Sequence, residues 1–134
     1  MPDPRFIENN YPFQSHLGFE LKEWRADYAL IEVPIADFMQ NRQGLPHGGV
    51  HATLLDSAMG FAGCYTGDAD QRQMALTLSM TVNYVGQAQG RRLLAEGWRT
   101  GGGRRTYFAE GAVRDELGTL VATATGVFRY RSQG

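Results

Sequence analysis

The sequence predicts an α+β fold in which an antiparallel β-sheet of five or six strands wraps around one long central helix. Two observations carry that expectation. Residues 48–65 place apolar side chains at helical spacing with a single acid and no Lys or Arg, the mark of a helix buried on most of its faces. The runs before and after it are hydrophobic at every second position, and the later ones are joined by turns too short for anything but antiparallel neighbours. With 134 residues, 43 % hydrophobic and 20 % charged, the chain can bury a real core and lacks the bias of disorder. One domain spanning 1–134 is expected.

Taken in order, residues 4–14 read as a short helix or lead-in anchored by Phe6, Ile7 and Phe13. Gly18 to Ile35 reads as a hairpin, with Phe19, Leu21, Ala29, Ile31, Val33 and Ile35 in its strands and Arg25-Ala26-Asp27 as its turn. A loop from Asp37 to Pro46 feeds the long helix, Gly48 to about Tyr65. At about 100° per residue, Val50, Leu54, Phe61 and Tyr65 form one stripe, and Leu55, Met59 and Ala62 extend it. The remaining flank holds Ala52, Asp56, Gly60 and Gly63, so the helix's one charge stands among small residues. From Met74 to Tyr84 the period is two without a break. Arg91–Thr100, Arg104–Asp115 and Thr119–Tyr130 follow, and the last four strands are expected to form a meander.

Composition excludes several classes. Net charge is −1, which gives no reason to expect nucleic acid. No stretch approaches the roughly 18 apolar residues of a membrane helix, and Met1 to Phe6 lacks the basic and apolar regions of a secretory signal. Cys64 is the only cysteine, so no internal disulfide forms and a reducing cytoplasmic location is expected. Charge is unevenly spread: residues 1–85 carry a net −5 and residues 86–134 a net +4, with eight Arg and no Lys. Arginine forks suit phosphate; the plain alternative is solvated strand edges.

The segment that carries chemistry runs from Asn41 through Pro46-His47-Gly48-Gly49-Val50 to Asp56. It is a loop entering a buried helix through two glycines. The first amides of a helix have no internal partner and lie at its electropositive end, and glycines leave them uncovered. A carbonyl oxygen can dock there, most strongly when it gains negative charge in a reaction. Asp56 lies eight residues past Gly48, roughly 12 Å along a helix. Both groups cannot grip one atom from the same helix. Either the substrate lies along the helix, or a second copy of the chain supplies one of the groups.

This segment resembles the PaaI-type branch of the hotdog thioesterase superfamily, through His47-Gly48-Gly49, the acid nine residues after the histidine, and the small residues that follow. The resemblance runs from about Gly18 to Arg131. It implies a hotdog fold, a homodimer whose dimers pair into a homotetramer, and hydrolysis of an acyl-CoA thioester to a carboxylic acid and CoA. No metal or redox cofactor is implied, and CoA enters only as part of the substrate. By position, the Gly48 amide would bind the thioester carbonyl, with Gly49 beside it. Asp56, from the opposite subunit, would be general base or nucleophile. His47 would hold the loop or orient the site, Asn41 would approach the carbonyl or water, and Thr77 would orient the water, with Ser79 its alternative. If CoA is the ligand, Arg91, Arg92, Arg104 and Arg105 are the candidates for its phosphates.

Plainer readings stand beside these. Asp56 is otherwise a structural acid and His47 a loop residue packed at the helix start. His47 and His51, four apart, have the spacing of a metal clamp, but no Glu completes a His-Glu-x-x-His pattern. Cys64 reads as a buried inert thiol, His16 as structural, and Ser57 lacks a nucleophile elbow. Gly101 to Gly103 before two arginines is a phosphate nest or, more simply, a hairpin turn. A non-catalytic acyl-CoA-binding protein of the same fold is the alternative function, and a hotdog dehydratase or hydratase a third.

Overall fold

In the computed structural model of the chain, the structure describes residues 8–132. The elements are α1 (Pro12–Leu17), β1 (Glu20–Arg25), β2 (Tyr28–Pro34), α2 (Gly48–Ala62), β3 (Ala75–Tyr84), β4 (Arg92–Gly102), β5 (Thr106–Asp115) and β6 (Leu120–Tyr130). The strands form one six-stranded sheet in the order β1-β2-β4-β5-β6-β3, antiparallel at every pairing. It curls around α2, as the alternating pattern predicts.

Three expectations need correction. The four-strand meander is a three-strand one: β3 does not pair with β4 but crosses to the far edge beside β6. Strand periodicity is local, whereas pairing partners are decided by where the connecting loop from 85 to 91 carries the chain. The short helix begins at Pro12 rather than residue 4, and Phe13 is 55 % exposed, so it anchors nothing. Gln14 is the buried member, and its amide donates to the Phe19 carbonyl. Phe6 and Ile7 lie outside the described residues. The long helix ends at Ala62, not Tyr65.

Leu54, Leu55, Ala58 and Met59 of α2 are fully buried against Ile31, Val33, Leu93, Val113 and Phe128 of the sheet. The helix lies so close to β4 that a Cβ on Gly97 would stand 2.4 Å from the Ala58 carbonyl oxygen. A glycine is required there. The last carbonyls of a helix have no internal donor, and here the sheet supplies them. The Tyr107 hydroxyl donates to Met59 O at 3.0 Å and to Gly60 O at 3.1 Å. Trp24 Nε1 donates to Phe61 O at 2.8 Å, and the Tyr130 hydroxyl to Gly63 O at 2.7 Å. Three aromatic side chains from three strands thereby fix the C-terminal end of α2.

Tyr107 is fully buried, so Tyr107→Phe takes the donor from the buried Met59 carbonyl and the half-buried Gly60 carbonyl. Thermal or urea unfolding of this variant should show a loss of about 1–3 kcal/mol.

At the opposite end of the sheet, buried Asp115 organises the β5–β6 turn. Its carboxylate accepts main-chain N–H groups from Gln89 at 2.7 Å, Gly90 at 3.0 Å, Leu117 at 3.0 Å and Thr119 at 2.9 Å. Burial by itself raises this carboxyl's pKa; the hydrogen bonds from Gln89, Thr119 and Gly90 outweigh it and hold it at about 2. A depressed folded-state value means stability that is complete above the ordinary value near 3.8 and lost as pH falls through about 2. Asp115→Asn should therefore lower Tm at pH 7. The gap from wild type should close between about pH 4 and pH 2 in a melting series.

Candidate active site

At its N-terminal end α2 is capped by His47, whose Nδ1 accepts from the Gly49 amide at 2.8 Å. The Val50 amide is taken by the His47 carbonyl at 2.9 Å. The Gly48 amide has no acceptor among the described residues. The Tyr84 hydroxyl donates to the Gly48 carbonyl at 2.9 Å, and its ring lies so close that a Cβ on Gly48 would meet it at 3.2 Å. His47 therefore acts as a helix cap, and Gly48, rather than Gly49, is the amide left open. Asn41 holds the incoming loop: its Oδ1 accepts from the amides of Gln43 at 2.8 Å and Leu45 at 3.2 Å. Only its side-chain NH₂ is left to face a ligand.

Asp56 is half-buried on the flank of α2, and the Thr77 hydroxyl donates to its Oδ1 at 2.6 Å. A break in β3 makes this contact. Thr77 pairs with Phe128 and Ser79 with Val127, leaving Leu78 without a partner. One extra residue reverses the side-chain phase beyond it. Thr77 before the bulge and Met80, Val82 and Tyr84 after it all face α2, while Ser79 pairs on the outer side. An unbroken alternation would send Thr77 to the opposite face from Met80. The exposed Leu76, 54 %, and Leu78, 56 %, are the other product of the slip.

A cavity of about 620 Å³ opens beside Asp56 and Thr77, between α2, β1, β3 and the segment before α1, with Tyr11, Ser57, Phe61 and Phe128 in its wall. The volume is that of a small-molecule site. Tyr11 carries no motif in the sequence, and Ser57 reads there only as a serine without a nucleophile elbow. The Tyr11 hydroxyl donates to Ser57 Oγ at 3.5 Å, and burial, with Asp56 adding to it, raises its pKa. The one signal for Tyr84 was its place at the end of the alternating strand.

Within the chain, Gly48 and Asp56 stand at opposite ends of β3, the first beside Tyr84 and the second beside Thr77. His51 is buried with Nδ1 unpartnered, and burial lowers its pKa. No group of three His, Cys, Asp or Glu that would hold a metal occurs among the described residues. The arginines separate. Arg92 pairs with Glu32, and the Arg91 amide is held by Glu116. Arg104 and Arg105 lie at the far end of β4, roughly 30 Å away. The two pairs stand at opposite ends of β4 and do not meet in one cluster within the chain. Gly101 and Gly102 pair with Phe108 and Tyr107, and the Gly103 amide is taken by the Thr106 carbonyl, as in a hairpin turn.

One antiparallel sheet curled around one long helix defines a hotdog domain. The sequence profile of the thioesterase superfamily matches residues 43–122, and the chain belongs to that superfamily. No curated protein matches it in sequence. A conserved protein from Pseudomonas aeruginosa superposes with a TM-score of 0.82 at 25 % identity, covering 95 % of this chain and 97 % of that one. A thioesterase from Haemophilus influenzae gives 0.80 at 19 %, covering 90 % and 82 %. The PaaI protein of the Escherichia coli phenylacetic acid degradation operon gives 0.78 at 17 %, covering 90 % and 84 %. The last two likenesses are of fold. No helix among the described residues is long and apolar enough to cross a membrane.

Cys64 is buried, and burial pushes its thiol up to about 11. The thiolate is the reactive form. Alkylation by iodoacetamide at pH 7.5 should run at least about tenfold slower than for free cysteine, accelerating as pH rises towards 11; mass spectrometry of timed samples reads it.

Proposed function

We propose that the protein hydrolyses acyl-CoA thioesters to a carboxylic acid and CoA, with Asp56 as the catalytic carboxylate. Superfamily membership supports thioester hydrolysis as the reaction class. The observation that carries the reading is Asp56 at the cavity wall with Thr77 on one oxygen, which leaves the other oxygen for water or substrate. In the general-base form, Asp56 takes a proton from water as the oxygen attacks the carbonyl carbon. The tetrahedral intermediate then expels the thiolate, which recovers the proton. In the nucleophilic form Asp56 attacks directly, the C–S bond breaks, and water opens the mixed anhydride. The Gly48 amide holds the oxygen that becomes negative in either path. Asn41 NH₂ approaches the same oxygen or the water.

The distance between Gly48 and Asp56 is met by a homodimer. β3 is an edge strand with Leu76, Leu78 and Tyr84 exposed, and unpaired edges of this kind take up another strand. Antiparallel pairing of β3 with its copy about the strand's midpoint, near Met80 and Thr81, sets Thr77 of one chain against Tyr84 of the other. Tyr84 carries Gly48 with it. One chain's amide then faces the other chain's carboxylate, which supports the opposite-subunit arrangement. Pairing of dimers into a tetramer and a cytoplasmic location belong to the same proposal.

Release of thiol from a panel of aryl, short-chain and medium-chain acyl-CoAs tests the reading. Asp56→Asn should keep its melting temperature within a few degrees and lose about a hundredfold or more in kcat. Thr77→Val, which removes a hydrogen bond to a charged group, should lose about tenfold to a hundredfold. A full rate in Asp56→Asn would sink the proposal. After a single turnover in ¹⁸O water, label in the Asp56 carboxyl identifies the nucleophilic path, with water attacking the Asp56 side of the anhydride.

A further inference from the structure

The two peptide planes that open α2 are fastened at every polar group except one. The His47 carbonyl and the Gly48 amide share the first plane, and that carbonyl accepts from the Val50 amide at 2.9 Å. The second plane joins the Gly48 carbonyl to the Gly49 amide. The amide donates to His47 Nδ1 at 2.8 Å, and the carbonyl accepts from the Tyr84 hydroxyl at 2.9 Å. Two glycines in a row leave the backbone free to swing, so these contacts decide where the open Gly48 N–H points. The first two come from the segment itself. Among the described residues, the hydrogen bond from Tyr84 alone joins these planes to the sheet. The fit of the ring is close. Gly48 has no positive φ that would call for glycine. Yet a Cβ there would stand 3.2 Å from Tyr84 Cε1 and Cζ and 3.3 Å from the hydroxyl oxygen. Glycine at 48 is what lets the phenol close over the turn. The ring also leans on buried His51, with centroids 6.3 Å apart, within the range of aromatic contacts.

We propose that Tyr84 is a positioning residue for thioester hydrolysis. By holding the Gly48–Gly49 peptide against β3, its hydroxyl aims the Gly48 N–H at the carbonyl oxygen of the substrate. The inference rests on the hydrolase reading above. A donor to an oxygen that gains charge is most effective when it is already aimed, because nothing then has to reorganise during the reaction. The phenol supplies that aim through the backbone, without touching substrate. The same strand brings the Thr77 hydroxyl to Asp56 at 2.6 Å, so amide and carboxylate are both referred to β3. With β3 paired to its copy, Tyr84 of one chain stands against Thr77 of the other. The strand pair then sets the separation between the donor of one chain and the acid of the other.

The test is Tyr84→Phe, which keeps the ring and removes only the hydroxyl. Hydrolysis is followed with an acyl-CoA. Calorimetry measures binding of two inert analogues: a ketone in which CH₂ replaces the thioester sulfur, and a thioether in which CH₂ replaces the carbonyl. Loosening the amide should cost less than the hundredfold or so of losing such a donor, so kcat should fall by about tenfold. The melting temperature should stay within a few degrees of wild type. The ketone should bind several-fold more weakly to the variant, and the thioether, which offers the amide no oxygen, should bind as it does to wild type. A full rate in Tyr84→Phe overturns the proposal. Equal weakening of both analogues also overturns it, since a phenol that merely shapes the site cannot tell a carbonyl from a methylene. If wild type cleaves no thioester and Tyr84→Phe still weakens the ketone alone, the hydrolase reading falls and the role of Tyr84 stands.

Discussion

Everything at the site is referred to the position of α2, and that position is set by the satisfaction of its last carbonyls. A buried carbonyl without a donor costs as much as several well-made surface contacts contribute. Trp24, Tyr107 and Tyr130 remove that cost from β1, β5 and β6. The glycine at 97 lets the helix settle against β4. With its C-terminal end closed by side chains, the helix keeps one open main-chain donor at the other end, Gly48. Its flank carries one acid at the cavity. Stability and chemistry are thus divided between the two ends of one element.

β3 performs a similar division across its width. On the side of α2 it offers Thr77 to Asp56 and Tyr84 to Gly48. On the other side it presents Leu76 beside Arg104, Arg105, Arg129 and Arg131. An edge strand one residue thick keeps the cavity at Asp56 apart from the exposed arginines of the outer face.

Much of this was legible in the sequence, for physical reasons that also mark the limits. The helix and six strands announce themselves because burial imposes a period on local residues. The pair Gly48 and Asp56 stood out because glycines bare a helix start and a lone acid in a greasy helix needs a purpose. The place of β3 was not legible, since pairing depends on contacts distant in the chain. Nor was the bulge, because Met74 to Tyr84 alternates perfectly on paper and Leu78 carries no glycine or proline to betray it. Arg91 and Arg92 looked equivalent to Arg104 and Arg105, yet the length of β4 lies between them. Arg129 and Arg131 come beside Arg104 and Arg105 through strand pairing, not through sequence proximity. Phe13 misled because an aromatic beside a short helix need not point inwards.

The unpaired residue in β3 gives that strand an unusual kind of tolerance. Leu78 touches neither reacting group, so its identity is free to vary among side chains that suit an exposed strand. The count of residues is not. Losing one position between Thr77 and Met80 would turn one half of the strand over and carry either the hydroxyl at Asp56 or the phenol at Gly48 to the wrong side. This short stretch is therefore permissive to replacement and intolerant of insertion or deletion, the reverse of what a surface loop allows.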